Sequence, residues 1–302
     1  MTPKMAFAAY QRIARRLPQP KSRPQPQKIQ SILELIPSTD IFFFDAFGVL
    51  NVGKTPIPHV AERIRQLKKA GKHCFVISNG GGFERSVYQQ KYRALGYDFS
   101  LEEIVSSRDA LLLGLADYPA QYCWGIIGSA GEQRDITALG YRQINQDAPD
   151  FFARADGFLF LSSMRWNDEK QNTLIEALTD RPRPLLLANP DLIAPQSQQS
   201  SIEAGSYVLL LPDQLFNQVR VFGKPYPLIY EIARQRLRSQ KIVFNPERCV
   251  MIGDTLHTDI LGGNAFGIKT ALVTDYGFLR AADYQTAIAE SGIFPDYVLN
   301  SP

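Results

Sequence analysis

Short, continuous apolar runs punctuate the chain, separated by polar segments with helical spacing. The runs at 41–44, 74–77, 124–127, 157–161, 185–188, 207–211, 219–222, 249–252 and 271–273 read as strands. Their apolar character is unbroken rather than alternating, which marks parallel strands covered on both faces. Between them, 59–70 carries Val60, Ile64 and Leu67 at helical spacing, with Gly71 placed to cap the C-terminus. The segment 84–95, closed by Gly96, reads as a helix, and so does 227–239, with Ile229, Ile232, Ala233 and Leu237 as its stripe. Strands alternating with helices predict an α/β fold on a parallel sheet. The polar stretch 196–201 reads as a loop. No internal repeat is evident, and no run approaches the ~18 consecutive apolar residues of a membrane span.

Composition narrows this picture at three points. A chain of 302 residues can bury a large core as one big domain or two smaller ones. Cys74, Cys123 and Cys249 lie in or beside strand-like runs with no zinc or redox spacing, which predicts buried thiols in a reducing compartment. The net charge of +3 is unevenly spread: residues 1–33 hold seven Lys or Arg and no acid, leaving 26 basic against 30 acidic residues elsewhere. The body therefore offers no evident nucleic-acid surface. In the basic arm, Met5, Phe7, Ala8, Tyr10, Ile13 and Leu17 can line one side of a short helix beside Arg12, Arg15 and Arg16, and the Pro/Gln-rich stretch 18–27 reads as a linker. The arm is expected to be solvated or loosely docked. An Arg-rich, acid-poor start also fits an organellar targeting peptide, the alternative to a cytoplasmic location.

Four short motifs each stand just after an apolar run. They are Asp45-Ala46-Phe47-Gly48-Val49-Leu50, Ser78-Asn79-Gly80, Gly223-Lys224-Pro225 and Gly253-Asp254-Thr255-Leu256-His257-Thr258-Asp259. Open α/β sheets bind ligands at the C-terminal ends of their strands. Singly, each motif has an ordinary reading as a cap, a turn or a strand-to-helix junction. In conjunction they supply what phosphoryl transfer needs. A carboxylate can attack phosphorus, and a hydroxyl and backbone amides can hold its oxygens. An ammonium can spread the charge, and further carboxylates can bind Mg²⁺.

Together and in this order the motifs resemble the haloacid-dehalogenase-like (HAD) superfamily. The Gly-Lys-Pro form of the third motif and the wide gap before it point to subfamily IIA, the p-nitrophenyl-phosphatase or NagD-like group. Ala188-Asn189-Pro190-Asp191 and Ile126-Ile127-Gly128-Ser129-Ala130-Gly131 within the gap point the same way. The resemblance spans about residues 38–300. It implies a Rossmann-like core with an inserted α/β cap domain: an arm and linker at 1–37, core at 38–118, cap at 119–215 and core again at 216–302. By position, Asp45 would be the nucleophile forming an aspartyl-phosphate. Ser78 with the amides of Asn79 and Gly80 would bind phosphate, and Lys224 would pair with phosphate and nucleophile. Asp45, Asp254 and the Phe47 carbonyl would hold Mg²⁺, and Asp259 would orient Lys224 or a metal-bound water. Asn189 and Asp191 are candidates to meet the substrate, a small phosphorylated metabolite. No nucleic-acid or membrane partner is expected, and a homodimer is left open.

Phe47 departs from the pattern. Family phosphatases carry a second Asp there, which protonates the leaving group and then activates water, help worth typically about 10²–10⁴ in rate. Phe47 cannot exchange a proton. His257 or a cap residue could take over, turnover could be slow, or the chain could bind phosphometabolites without turning them over. For His257 a solvated or capping role is the plainer expectation. A nucleotide-binding oxidoreductase is disfavoured, because no G-x-G-x-x-G follows a strand and Gly80-Gly81-Gly82 lacks that spacing.

Overall fold

The computed structural model describes residues 1–21, 24–280 and 282–302. Its main sheet has seven strands, all parallel. Across the sheet they run Gln27–Lys28, Tyr297–Leu299, Lys269–Val273, Cys249–Gly253, Ile41–Phe44, His73–Ser78 and Ile104–Ser106. The apolar run at 41–44 is continuous because both of its faces are covered. Ile41 and Phe43 pack into one core with helix Leu228–Ser239, while Phe42 and Phe44 pack into another with helix Val60–Lys69. From Ile41–Phe44 the chain winds toward Ile104–Ser106, and from Cys249–Gly253 it winds the opposite way. These two central neighbours therefore form the switch point at which an open α/β sheet has its crevice.

A second sheet is inserted after helix Ser107–Gly114. It has five parallel strands in the order Arg220–Val221, Leu185–Leu187, Gly157–Phe160, Cys123–Ile127 and Arg142–Asn145. Arg220–Val221 pairs here, so this sheet runs past residue 215. Trp124, Ile126, Leu159, Leu186 and Phe222 join the same apolar cluster as Phe43 and Met251, so the two sheets share a core.

Local patterning misleads in three places. The run at 207–211 is no strand: Ala204–Val208 is a helix that continues into turns. Tyr207, Val208 and Leu211 pack against the second sheet at helical rather than alternating spacing. The polar stretch at 196–201 is the turn and second arm of a hairpin, Ile193–Pro195 against Ser200–Ile202. The basic arm is docked. Helix Pro3–Arg12 buries Ala6, Ala9 and Tyr10, with Leu17 buried beyond it, whereas Met5 is 58% exposed and Ala8 is exposed. The end of the stretch read as a linker pairs as a strand with Tyr297–Leu299. All three cysteines are buried free thiols. No helix among the described residues is long and apolar enough to cross a membrane.

Candidate active site

Asp45 directly follows Ile41–Phe44, and its N–H donates to the Ile252 carbonyl at 2.9 Å. It thus stays laddered to the neighbouring strand, beyond whose end stands Asp254. Lys224 arrives from the second sheet, just past Arg220–Val221, and is joined to Pro225 by a cis peptide. Its ammonium lies 2.5 Å from Asp45 Oδ1 and 2.7 Å from Asp259 Oδ1, with the side chain only 1% exposed. A buried lysine on its own would be driven neutral. Here burial is outweighed by Asp259, Asp45 and Asp191, which hold Lys224 protonated.

The two acids of the fourth motif are held tightly. Asp259 Oδ2 accepts from the N–H groups of Asp254 and Thr255, both at 3.1 Å, within a π-helical turn at Leu256–Ile260. Asp254 Oδ2 accepts from the Phe278 N–H at 2.6 Å and Oδ1 from the Thr255 hydroxyl at 3.0 Å. Two glycines make room for this carboxylate. A Cβ on Gly277 would come 2.1 Å from Asp254 Cβ, and one on Gly48, whose φ is +80°, would come 2.3 Å from Asp254 Oδ2. The glycine three residues after Asp45 is thus required by both its backbone and its neighbour.

Asp45, Asp254 and Asp259 bring carboxylate oxygens within 4.8 Å of one another. Burial pushes the carboxyls of Asp45 and Asp254 upward, for Asp45 against the pull of Lys224, and each is raised further by its acidic neighbours. Among the described residues no donor takes the Phe47 carbonyl oxygen. A hard divalent cation suits such a set. It takes oxygen ligands only, relieves the mutual repulsion of the acids, and gives a spare carbonyl a partner.

Ser78 is buried, with its Oγ accepting from Gly80 N–H at 3.2 Å. The Asn79 side chain is fully engaged. Its Oδ1 accepts from Lys224 N–H at 2.7 Å, and its Nδ2 donates to Asp191 Oδ1 at 2.8 Å and to the Lys224 carbonyl at 3.0 Å. Only its backbone is left for an anion. Asp191 thereby joins the cluster, and burial pushes its carboxyl up to about 8. Asn189 donates to Glu203 Oε2 at 3.0 Å and accepts from Asp191 N–H at 3.1 Å, so its side chain is engaged in shaping the turn.

His257 is neither solvated nor a cap, and its contacts are to the N-terminal helix. It is 1% exposed, stacked on Tyr10 at 4.9 Å, edged by Phe7, with Nε2 3.0 Å from Gln11 Oε1. Phe47 lies half-buried with the Lys91 ammonium 4.2 Å above its ring. Lys91 has no hydrogen-bonding or ion-pair partner among the described residues. Burial pulls it down to about 8, opposed by the charge of Asp45. Lys91 and Phe278 were not foreseen. Lys91 sits inside a predicted helix with no motif to single it out. Phe278 had a usable signal, since Gly277-Phe278 lies just past the predicted strand at 271–273, on the same sheet edge.

A family model for haloacid dehalogenase-like hydrolases matches residues 42–142, and a second, HAD-hydrolase-like model matches 221–301. The chain belongs to the haloacid-dehalogenase-like hydrolases. It is 27% identical to the glycerol-3-phosphate phosphatase of Homo sapiens, over 88% of this chain and 90% of that one. It is 24% identical to the 4-nitrophenylphosphatase of Schizosaccharomyces pombe, over 89% and 93%. Its fold matches the crystal structure of a possible HAD-superfamily sugar phosphatase from Cytophaga hutchinsonii with a TM-score of 0.81 and 27% identity, covering 91% of this chain and 98% of that one. Both matched segments of this HAD-like chain carry site residues, Asp45 and Ser78 in one and Lys224, Asp254 and Asp259 in the other. The N-terminal helix and the middle of the second sheet lie outside them.

Proposed function

We propose that this HAD-like hydrolase is a divalent-metal-dependent phosphatase of small phosphomonoesters, working through an aspartyl-phosphate on Asp45. The observation that carries this reading is the Lys224 ammonium held between Asp45 and Asp259 beside Asp254. Asp45 attacks phosphorus through the oxygen not taken up by Lys224. The ester P–O bond breaks and the leaving oxygen takes its proton from water. A second water then hydrolyses the aspartyl-phosphate to inorganic phosphate and free Asp45. Lys224 stays charged and meets the negative charge that builds on the phosphoryl oxygens. Asp259 keeps Lys224 in place, and Ser78 with the amides of its loop cradles the phosphate. Asp45, Asp254 and the Phe47 carbonyl would hold Mg²⁺, which polarises the phosphoryl group and offsets the acids. The second sheet, whose flanking turn carries Asp191 to the cluster, is the part suited to substrate selection.

Phe47 supplies no proton, so turnover is slow and favours substrates with good leaving groups. The same residue favours a second reading, a phosphometabolite-binding protein on this fold. Phosphate release from a panel of small phosphomonoesters, with and without Mg²⁺, separates the two. Mg²⁺-dependent release by the wild type and none by Asp45→Asn is expected. Equal release by both proteins overturns the phosphatase reading, and Mg²⁺-dependent phosphate binding without release establishes the second one.

A further inference from the structure

The N-terminal helix lies outside both matched segments, yet it reaches the back of the site. Tyr10, 3% exposed, touches three separate pieces of the catalytic frame. Its hydroxyl accepts from Leu192 N–H at 3.1 Å, one residue past Asp191. Its ring stacks on His257, inside the turn that presents Asp259, at 4.9 Å and 8° between planes. The same ring packs at 6.2 Å on Phe278, whose N–H holds Asp254 Oδ2. Gln11 adds a second tie, bonding His257 through Oε1 and the Glu290 carbonyl through Nε2 at 2.7 Å. One face of the helix is thus fixed to the main sheet's site loops while Tyr10 also grips the turn that brings Asp191.

We propose that Tyr10 is a positioning residue, setting Asp191 against Asp254 and Asp259 across the junction of the two sheets. A ring packed on two of these elements and a hydroxyl bonded to the third make a rigid spacer, because a buried aromatic has few rotamers and its neighbours are close-packed. Without the hydroxyl, Leu192 N–H is left buried and unpaired, and its turn must shift to find a partner. Without the ring, His257 and Phe278 lose their shared support, and the carboxylate that Phe278 holds moves with it.

This inference rests on the phosphatase reading, and a test on the full chain keeps the two distinct. Tyr10→Phe removes only the hydroxyl, and Tyr10→Leu removes the stack. Leu17→Ala thins the same apolar cluster with no hydrogen bond or ring contact to the three elements. Tyr10→Phe is expected to raise KM for p-nitrophenyl phosphate by about threefold to tenfold, and Tyr10→Leu to weaken Mg²⁺ binding in calorimetry by a similar factor. Leu17→Ala is expected to lower the melting temperature while leaving KM and Mg²⁺ affinity as they were. Wild-type KM and Mg²⁺ affinity in both Tyr10 variants would overturn the proposal. So would losses reproduced by Leu17→Ala, which would reduce Tyr10 to ordinary packing. If the wild type releases no phosphate, the phosphatase reading fails alone and the Mg²⁺ titration still decides the role of Tyr10.

Discussion

The two walls of the site are built to different standards. On the fourth-motif wall nearly every polar atom is engaged: Asp259 takes two backbone N–H groups and Lys224, and Asp254 takes an N–H and a hydroxyl. On the opposite wall stand an apolar ring, Phe47, and an ammonium, Lys91, with no acid or carbonyl to meet it among the described residues. The first wall fixes charges before any substrate arrives, as electrostatic preorganisation requires. The second offers no carboxyl for proton transfer, and its one cation is unsatisfied. The two walls thus differ in what their side chains offer: one is a set of paired charges, the other an apolar ring under a lone ammonium.

The largest expected effect comes from furnishing the second wall. Phe47→Asp should raise kcat on alkyl phosphates, whose leaving groups need a proton, by about 10²-fold. The new carboxyl would lie close to Lys91, whose charge would favour its ionised form and trim this gain. Adding Lys91→Met should therefore increase the gain further. Steady-state rates on an alkyl and an aryl phosphate check both statements. An unchanged rate in a folded variant that still binds Mg²⁺ would show that the contrast between the walls does not limit turnover.

A smaller effect tests the support behind the first wall. Burial holds His257 at about 4, below its ordinary value. Folding thus favours the neutral ring. Its stabilising contribution is complete above the unfolded value of about 6.5 and is lost as pH falls from there toward the folded value, below which no further change follows. His257→Gln keeps an amide beside Gln11 and removes the titration. Between those pH values, urea unfolding should show a pH slope shallower in the variant by up to about 1.4 kcal/mol per unit. Equal slopes would mean that the ring is charged in the folded state and that the stack on Tyr10 is not the support described.

The strands that carry Asp45 and Asp254 are legible in the sequence because burial on both faces leaves unbroken apolar runs, and a carboxylate just past such a run has few other places to be. The Arg220–Val221 strand before Lys224 was legible as a strand, but its partner was not. Pairing is a matter of tertiary context, and a two-residue strand carries little pattern. Asn189 and Asp191 look equivalent in the motif they share. Only the hydrogen bonds to Glu203 and Asn79 send one into the turn and the other to the site. The docking of the arm was hidden for another reason. Phe7, Tyr10, Ile13 and Leu17 of the predicted stripe do pack, together with Ala6 and Ala9, but in a cluster with Leu192, Leu256 and Phe278, far away in the chain. His257 was misjudged because its partners, Tyr10 and Gln11, lie far away in the chain.

The central claim is that the free oxygen of Asp45 attacks phosphorus. Rapid quenching of the Mg²⁺-loaded protein during turnover of p-nitrophenyl phosphate, followed by peptide mass mapping in acid, tests it most directly. The account predicts one added phosphoryl group on the peptide containing Asp45, absent from Asp45→Asn. Phosphate released at the wild-type rate with no phosphoryl group captured on that peptide, and undiminished in Asp45→Asn, would contradict it.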